Sequence, residues 1–212
     1  MGRLPARPFL YAILDTGLYR ERPLGPAIRQ LAAGGAAILQ LRMKAEADAV
    51  RFDLATQAVA AARAAGVPLI VNDRPDIARM AGADGVHVGQ ADLPAGEVRR
   101  LLGLEAIVGV STHDLEQLRA ATAEPVDYVA FGPVFATTTK ADAEPAVGIE
   151  GLRRAREVAT LPLVAIGGVT RANAASVIAA GSDGIAVISD LLHETDLAAA
   201  TRALRASFEP ER

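Results

Sequence analysis

Two aspartates, Asp73 and Asp92, follow adjacent short apolar runs, and three basic side chains, Arg42, Lys44 and Lys140, follow similar runs. If those runs are neighbouring strands about 4.8 Å apart, both carboxylates can approach one hard cation. Two carboxylates suit magnesium, completed by waters and phosphate oxygens, better than a protein-only calcium cage. Cations beside a carboxylate-held metal are what a pyrophosphate group requires. Taken singly, Asp73 reads as a turn residue and Asp92 as a helix cap before Leu93-Pro94; the pair beside three cations favours the metal and phosphate reading. Of 22 basic side chains only Lys44 and Lys140 are lysine. Both fall in these loops, where a compact ammonium serves phosphate as a point charge. Gly167-Gly168 and Ile188-Ser189 form a second candidate: glycine lets backbone approach a phosphomonoester, and a following helix offers free N–H groups.

The histidines carry less. His87 lies inside an apolar run, where it either lines a pocket or is a satisfied core residue. His113 follows Ser111-Thr112 at a helix start and reads as a capping or positioning residue, and His193 as a solvated one. Thr170 or Asn173 reads as the cap of the helix that follows. No histidine pair has helical metal-ligand spacing, and the chain has no cysteine. Zinc–thiolate sites, disulfides and thiol nucleophiles are thereby excluded.

The elements that must position these residues are legible as alternating units. Apolar runs rich in Val, Ile and Leu occur at Phe9–Leu14, Ala37–Arg42, Leu69–Asn72, Gly85–Val88, Ile107–Ser111, Tyr128–Phe131, Leu163–Ile166 and Gly184–Ile188. None alternates cleanly, as expected of strands covered on both faces. Between them lie helical segments at Ala47–Ala65, Ala95–Leu102, Leu115–Thr122, Ile149–Thr160, Asn173–Ala180 and Asp196–Phe208, with a very short one at Asp76–Met80. Gly82-Ala-Asp-Gly85 and Gly181-Ser-Asp-Gly184 are near-identical turns into the fourth and eighth runs, a weak internal repeat. Eight βα units without a linker predict a single (β/α)8 TIM barrel over residues 1–212. An open doubly wound sheet is the alternative, but no glycine fingerprint follows the first strand. The polar clusters fall after the runs, at the strand C-terminal ends where barrel active sites are built. The turns entering the strands carry mostly Gly, Ala and Pro.

Composition bounds the function. The 212 residues are 51% apolar with formal net charge −3, a sequence pI near 5.7 and mean hydropathy +0.24. With no run of like charge, neither a nucleic-acid stripe nor a polybasic membrane anchor is expected. Phe9–Leu14 is too short for a signal segment or a membrane span. A cytoplasmic enzyme acting on small molecules is the expectation, of undetermined oligomeric state.

The motifs, taken together, resemble thiamine-phosphate synthases and their thiazole-tautomerase relatives. They are Gln40-Leu-Arg-Met-Lys44, Val71-Asn-Asp73, Gly85-Val-His-Val-Gly-Gln-Ala-Asp-Leu-Pro94, Gly109-Val-Ser-Thr-His113, Asp127-Tyr-Val-Ala-Phe-Gly-Pro133, Thr137-Thr-Thr-Lys140 and Ile166-Gly-Gly168. The resemblance spans about residues 9 to 192. It implies that Gln40 and His87 seat an aminopyrimidine and that Arg42, Lys44, Asn72, Ser111 and Lys140 hold its diphosphate. It further implies that Asp73 and Asp92 bind Mg2+, and that Thr137, Thr139, Gly168, Ile188 and Ser189 surround a thiazole phosphate. The chain departs from the family's pattern at Leu14-Asp15, where a threonine usually precedes the aspartate, and in the loop Thr16–Arg22.

The implied reaction is substitution at the exocyclic methylene of the pyrimidine, by a dissociative path, with pyrophosphate leaving and the thiazole nitrogen attacking. Such chemistry needs charge neutralisation and alignment rather than a covalent nucleophile, with Arg42, Lys44, Lys140 and Ser111 as its catalytic groups. A tautomerase-like isomerase and a non-catalytic sensor of thiamine precursors are the competing readings. Neither needs both carboxylates with the cation set.

Overall fold

A computed structural model describes residues 4–19, 23–137, 139 and 144–208. Eight parallel strands close on themselves in sequence order. They are β1 (Phe9–Asp15), β2 (Ile38–Arg42), β3 (Leu69–Asn72), β4 (Gly85–Val88), β5 (Ile107–Thr112), β6 (Tyr128–Phe131), β7 (Leu163–Ile166) and β8 (Gly184–Val187). The helices are α1 (Leu24–Ala33), α2 (Asp48–Ala65), α3 (Pro75–Ala81), α4 (Ala95–Leu102), α5 (Leu115–Thr122), α6 (Gly148–Val158), α7 (Ala174–Ala179), α8 (Ser189–Leu192) and α9 (Leu197–Ala206). The (β/α)8 barrel expected from the alternation is the fold, and the apolar runs are its strands.

Alternation along each strand divides the side chains between two cores. One parity faces the helices, where Leu39, Leu41, Val86, Val108 and Val129 pack on residues such as Leu31, Ala58 and Leu118. The other faces the barrel axis, where Phe9, Tyr11, Ile13, Ile38, Ile70, Ile107, Tyr128 and Val164 form a separate inner core. The same inward parity carries Gln40 and Arg42 on β2, Asn72 on β3, His87 on β4 and Ser111 on β5. In register, Asn72, His87, Gly109 and Tyr128 stand side by side across β3 to β6.

Helices α1 to α4 each stop at a glycine. Gly66 and Gly82 end α2 and α3 in the left-handed conformation, at φ 69° and 72°, where a missing Cβ removes the steric cost. Helix α1 has no counterpart among the segments picked out by periodicity: Pro23 precedes it without a side-chain cap and Pro26 sits in its first turn. Helix α8, four residues long, was also unanticipated.

The barrel's entry end corrects the expectation of bland turns. Asp84, Asp127 and Asp183 each precede an even-numbered strand, and each carboxylate accepts the N–H of a residue at or near the start of the preceding odd strand. The bonds are Leu69 N to Asp84 at 2.8 Å, Val108 N to Asp127 at 2.8 Å and Leu163 N to Asp183 at 2.8 Å. Arg99 adds a buried ion pair to Asp127 at 2.7 Å and also donates to the carbonyls of Pro125 and Ala106. Among the described residues no helix is long and apolar enough to cross a membrane.

Candidate functional site

At the opposite end, the strand C-termini open into a cavity of about 370 Å³, a size suited to small organic ligands. Strands β2 to β5 and the loops after them bring Arg42, Lys44, Asn72, Asp73, His87, Asp92 and Ser111 to its wall. Thr137, Thr139, Gly168, Ile188 and Ser189 line the other side, after β6, β7 and β8. Lys140 lies outside the described residues.

Asp73 and Asp92 meet. Lys44 Nζ stands 2.6 Å from Asp73 Oδ2, and Gly89 N donates to Asp92 Oδ2 at 2.6 Å. Burial raises the Asp92 carboxyl above its ordinary value, against the Gly89 N–H that lowers it, and the adjoining Asp73 carboxylate adds to the rise. Neither aspartate caps a helix. The cap positions before α4 and α3 are Pro94 and Arg74, both without a side-chain cap bond. Asp73 holds φ 63°, the only positive φ of a non-glycine residue among those described. Left-handed backbone is rare outside glycine, asparagine and aspartate and gathers at functional sites.

Arg42 pairs with Asp15 at the end of β1, so the aspartate of the Leu14-Asp15 pair supplies its counter-charge, while Leu14, in the place of the usual threonine, packs in the outer core. Asp15 Oδ1 also accepts from Gly17 N at 2.9 Å and Leu18 N at 3.3 Å, and Thr16 Oγ1 donates to Arg42 O at 3.2 Å. The atypical loop, as far as Tyr19, is thus an ordered turn that holds Arg42. Arg20, Glu21 and Arg22 lie outside the described residues.

Gln40 does not line the cavity. It is 3% exposed, below the cavity floor, and donates to the Tyr11 hydroxyl at 2.8 Å. His87 does reach the wall, with Nε2 at 2.8 Å from Ser111 Oγ. His113 also lines the cavity and is held by Nδ1 against Gly132 O at 2.6 Å. The cap of α5 is instead Asp114, whose Oδ1 accepts from Glu116 N at 2.9 Å and Gln117 N at 2.8 Å. His193 is exposed.

On the far wall Gly167 and Gly168 both take positive φ, 93° and 63°. A Cβ on Gly168 would stand 2.7 Å from Ala136 O and 2.7 Å from Phe135 Cβ, so the loop after β6 requires the bare backbone. Asn173 makes no side-chain cap for α7. Its side chain turns back to brace this loop, donating to Gly168 O at 3.0 Å and accepting from Thr170 N at 2.8 Å. Arg171 ties the same loop to α8 through Asp190 at 3.1 Å and to the turn after it through Glu194 at 2.8 Å.

Sequence reasoning did not single out Gln90, Gln117 or Glu144, which also line the cavity, nor Tyr11, Tyr128 and Asp15. Gln90 Nε2 donates to Ser111 O at 2.7 Å. Strand parity would have found Tyr11, Tyr128 and Asp15, since all three share the inward phase of their strands.

Comparison with known proteins identifies the family. The family model described as thiamine monophosphate synthase matches residues 10–191. The thiamine-phosphate synthase of Chloroflexus aurantiacus is 46% identical over 197 residues, covering 93% of this chain and 91% of that one. That of Methanoculleus marisnigri is 47% identical over 199 residues, covering 92% and 93%. The structure of thiamine phosphate pyrophosphorylase from Pyrococcus furiosus superposes with a TM-score of 0.85 at 34% identity, over 94% of each chain. On profile, sequence and structure alike, the chain belongs to the thiamine-phosphate synthase family of transferases.

Proposed function

We propose that this chain joins an aminopyrimidine methyl diphosphate to a hydroxyethylthiazole phosphate, giving thiamine phosphate and pyrophosphate. The observation that carries the reading is that one cavity has two differently built anion walls. Lys44, Arg42, Asn72 and Ser111 stand beside the Asp73–Asp92 pair, while the Gly167-Gly168 loop and Ser189 stand opposite. A diphosphate suits the first wall and a monophosphate the second. A thiazole tautomerase has no use for the first wall.

The donor set fits magnesium. Among the described residues, no three His, Cys, Asp or Glu side chains converge as a metal cage, so two carboxylates must be completed by ligand oxygens and water, as magnesium accepts. Asp73 and Asp92 would hold the ion, which when bound would neutralise charge on the departing diphosphate. The chain's own residues do the rest. Lys44 and Arg42 bring positive charge to the leaving group, and Lys140 of the Thr137–Lys140 motif is assigned the same task. Asn72 and Ser111 fix its orientation. The bond from methylene carbon to diphosphate oxygen breaks with its electrons going to oxygen, and the thiazole nitrogen lone pair forms the new carbon–nitrogen bond. The second wall holds the thiazole in line, which removes the entropy of a two-body encounter. The test is direct: purified protein, both precursors and Mg2+ should give thiamine phosphate and one equivalent of pyrophosphate. Failure with either thiazole tautomer would overturn the reading.

A further inference from the structure

From below the cavity floor up to its wall, the barrel interior holds a continuous polar chain drawn from five strands. Gln40 Nε2 donates to Tyr11 OH at 2.8 Å. The Tyr11 and Tyr128 hydroxyls are 2.9 Å apart, Tyr128 OH stands 2.9 Å from His87 Nδ1, and His87 Nε2 stands 2.8 Å from Ser111 Oγ. All five side chains are buried. The His87 and Tyr128 rings stack at 23° with centroids 5.5 Å apart. Gly109, between them in register, makes the room: a Cβ there would stand 2.4 Å from the Tyr128 hydroxyl.

Each link alone leaves the proton's place open, but the chain as a whole does not. An amide nitrogen only donates, so the Tyr11 oxygen is an acceptor from Gln40. The single Tyr11 proton must then go to the Tyr128 oxygen, since the opposite arrangement strands a buried O–H. Tyr128 in turn donates its hydrogen bond to His87 Nδ1. A neutral imidazole with Nδ1 occupied as acceptor carries its hydrogen on Nε2 and donates it to Ser111. The Ser111 proton is then left for the cavity. Burial raises both tyrosines above their ordinary values, so the phenols stay neutral and the polarity persists.

We infer that Tyr128 is a positioning residue that fixes His87 as the Nε2–H tautomer and thereby makes the Ser111 hydroxyl a one-way hydrogen-bond donor to the diphosphate. Only the identity of that acceptor rests on the function proposed above. A serine free to rotate could equally present lone pairs to an anion; one already accepting from His87 presents its proton, with no reorganisation as charge develops.

The wild-type protein with nitrogen-15 histidine tests this, the other two histidines being assigned by substitution. His87 should show a protonated Nε2 and a bare Nδ1. In Tyr128→Phe that preference should relax toward a mixture, and the dissociation constant for inorganic pyrophosphate with Mg2+ should rise about tenfold or more. Thiazole phosphate binding should not change. Ser111→Ala should reproduce the pyrophosphate loss without moving the tautomer, and Ser111→Thr should restore binding. A wild-type His87 protonated at Nδ1, or a Tyr128→Phe spectrum identical to wild type, overturns the inference. The wild-type spectrum needs neither a folded variant nor turnover. Absent thiamine phosphate synthesis would therefore overturn the proposed function and leave the tautomer assignment standing.

Discussion

At the residue scale the proposed chemistry rests on Asp73 and Asp92. Two carboxylates in contact, one of them raised by burial and by its neighbour, are a poor arrangement without a cation and a good one with it. Asp92→Asn should therefore lower turnover roughly a hundredfold or more, since a neutral amide replaces a charged ligand. Its circular dichroism should match wild type, because Asp92 caps no helix. EDTA should abolish wild-type activity, and full activity with chelator present would refute the metal assignment. Lys140→Ala should slow the chemical step by about 2.7–4 kcal/mol of barrier, on the scale of one lost oxyanion donor. Equal weakening of both substrates with normal turnover would make Lys140 a binding residue only. That Asp73, Asp92, Arg42 and Lys44 share one mouth was legible, because carboxylates and cations after apolar runs have few structural uses. The buried chain that Gln40 forms with Tyr11 and Tyr128 was not. A polar group inside an apolar run looks like core until strand phase and register show which groups meet.

At the element scale the two ends of the barrel divide their work. The aspartates before β4, β6 and β8 fasten each even strand to the odd strand before it, far from the cavity. Asp127→Ala leaves Arg99 as a buried charge without its partner and should cost about 3–5 kcal/mol in urea unfolding. Asp84→Ala removes only a bond to a backbone N–H and should cost about 1–3 kcal/mol. The folded fraction of either should keep wild-type kcat. At the other end, Ser189 at the start of α8 allows a cleaner test of the phosphate wall than Gly168, whose replacement collides with Ala136 and Phe135. Ser189→Ala should raise KM for the thiazole phosphate about tenfold with pyrimidine diphosphate KM unchanged. The reverse pattern would mean that the two substrates lie at exchanged ends of the mouth. The eight strands were legible from apolar runs because strands covered on both faces have no polar side. Helix α1 was not, because Pro23 and Pro26 hide its start, and the entry-end aspartates were not, because their partners are distant backbone groups.

For the whole molecule, ligands that complete the mouth should stabilise the fold they bind. Mg2+ with pyrophosphate at about a hundred times its dissociation constant adds about 2.7 kcal/mol, or roughly 5–11 °C in Tm for a chain of this size. Mg2+ alone should give much less, because two carboxylates without ligand oxygens make an incomplete site; equal shifts from Mg2+ alone would mean a cage formed wholly by protein. The chain has no tryptophan and only three tyrosines. Two of these, Tyr11 and Tyr128, are locked edge to face, with centroids 5.9 Å apart and planes at 73°. Their near-ultraviolet optical activity therefore originates directly under the site. The molecule carries a built-in chromophore pair, so occupancy of the Ser111 end of the cavity can be followed by near-ultraviolet circular dichroism, with no label and no engineered residue.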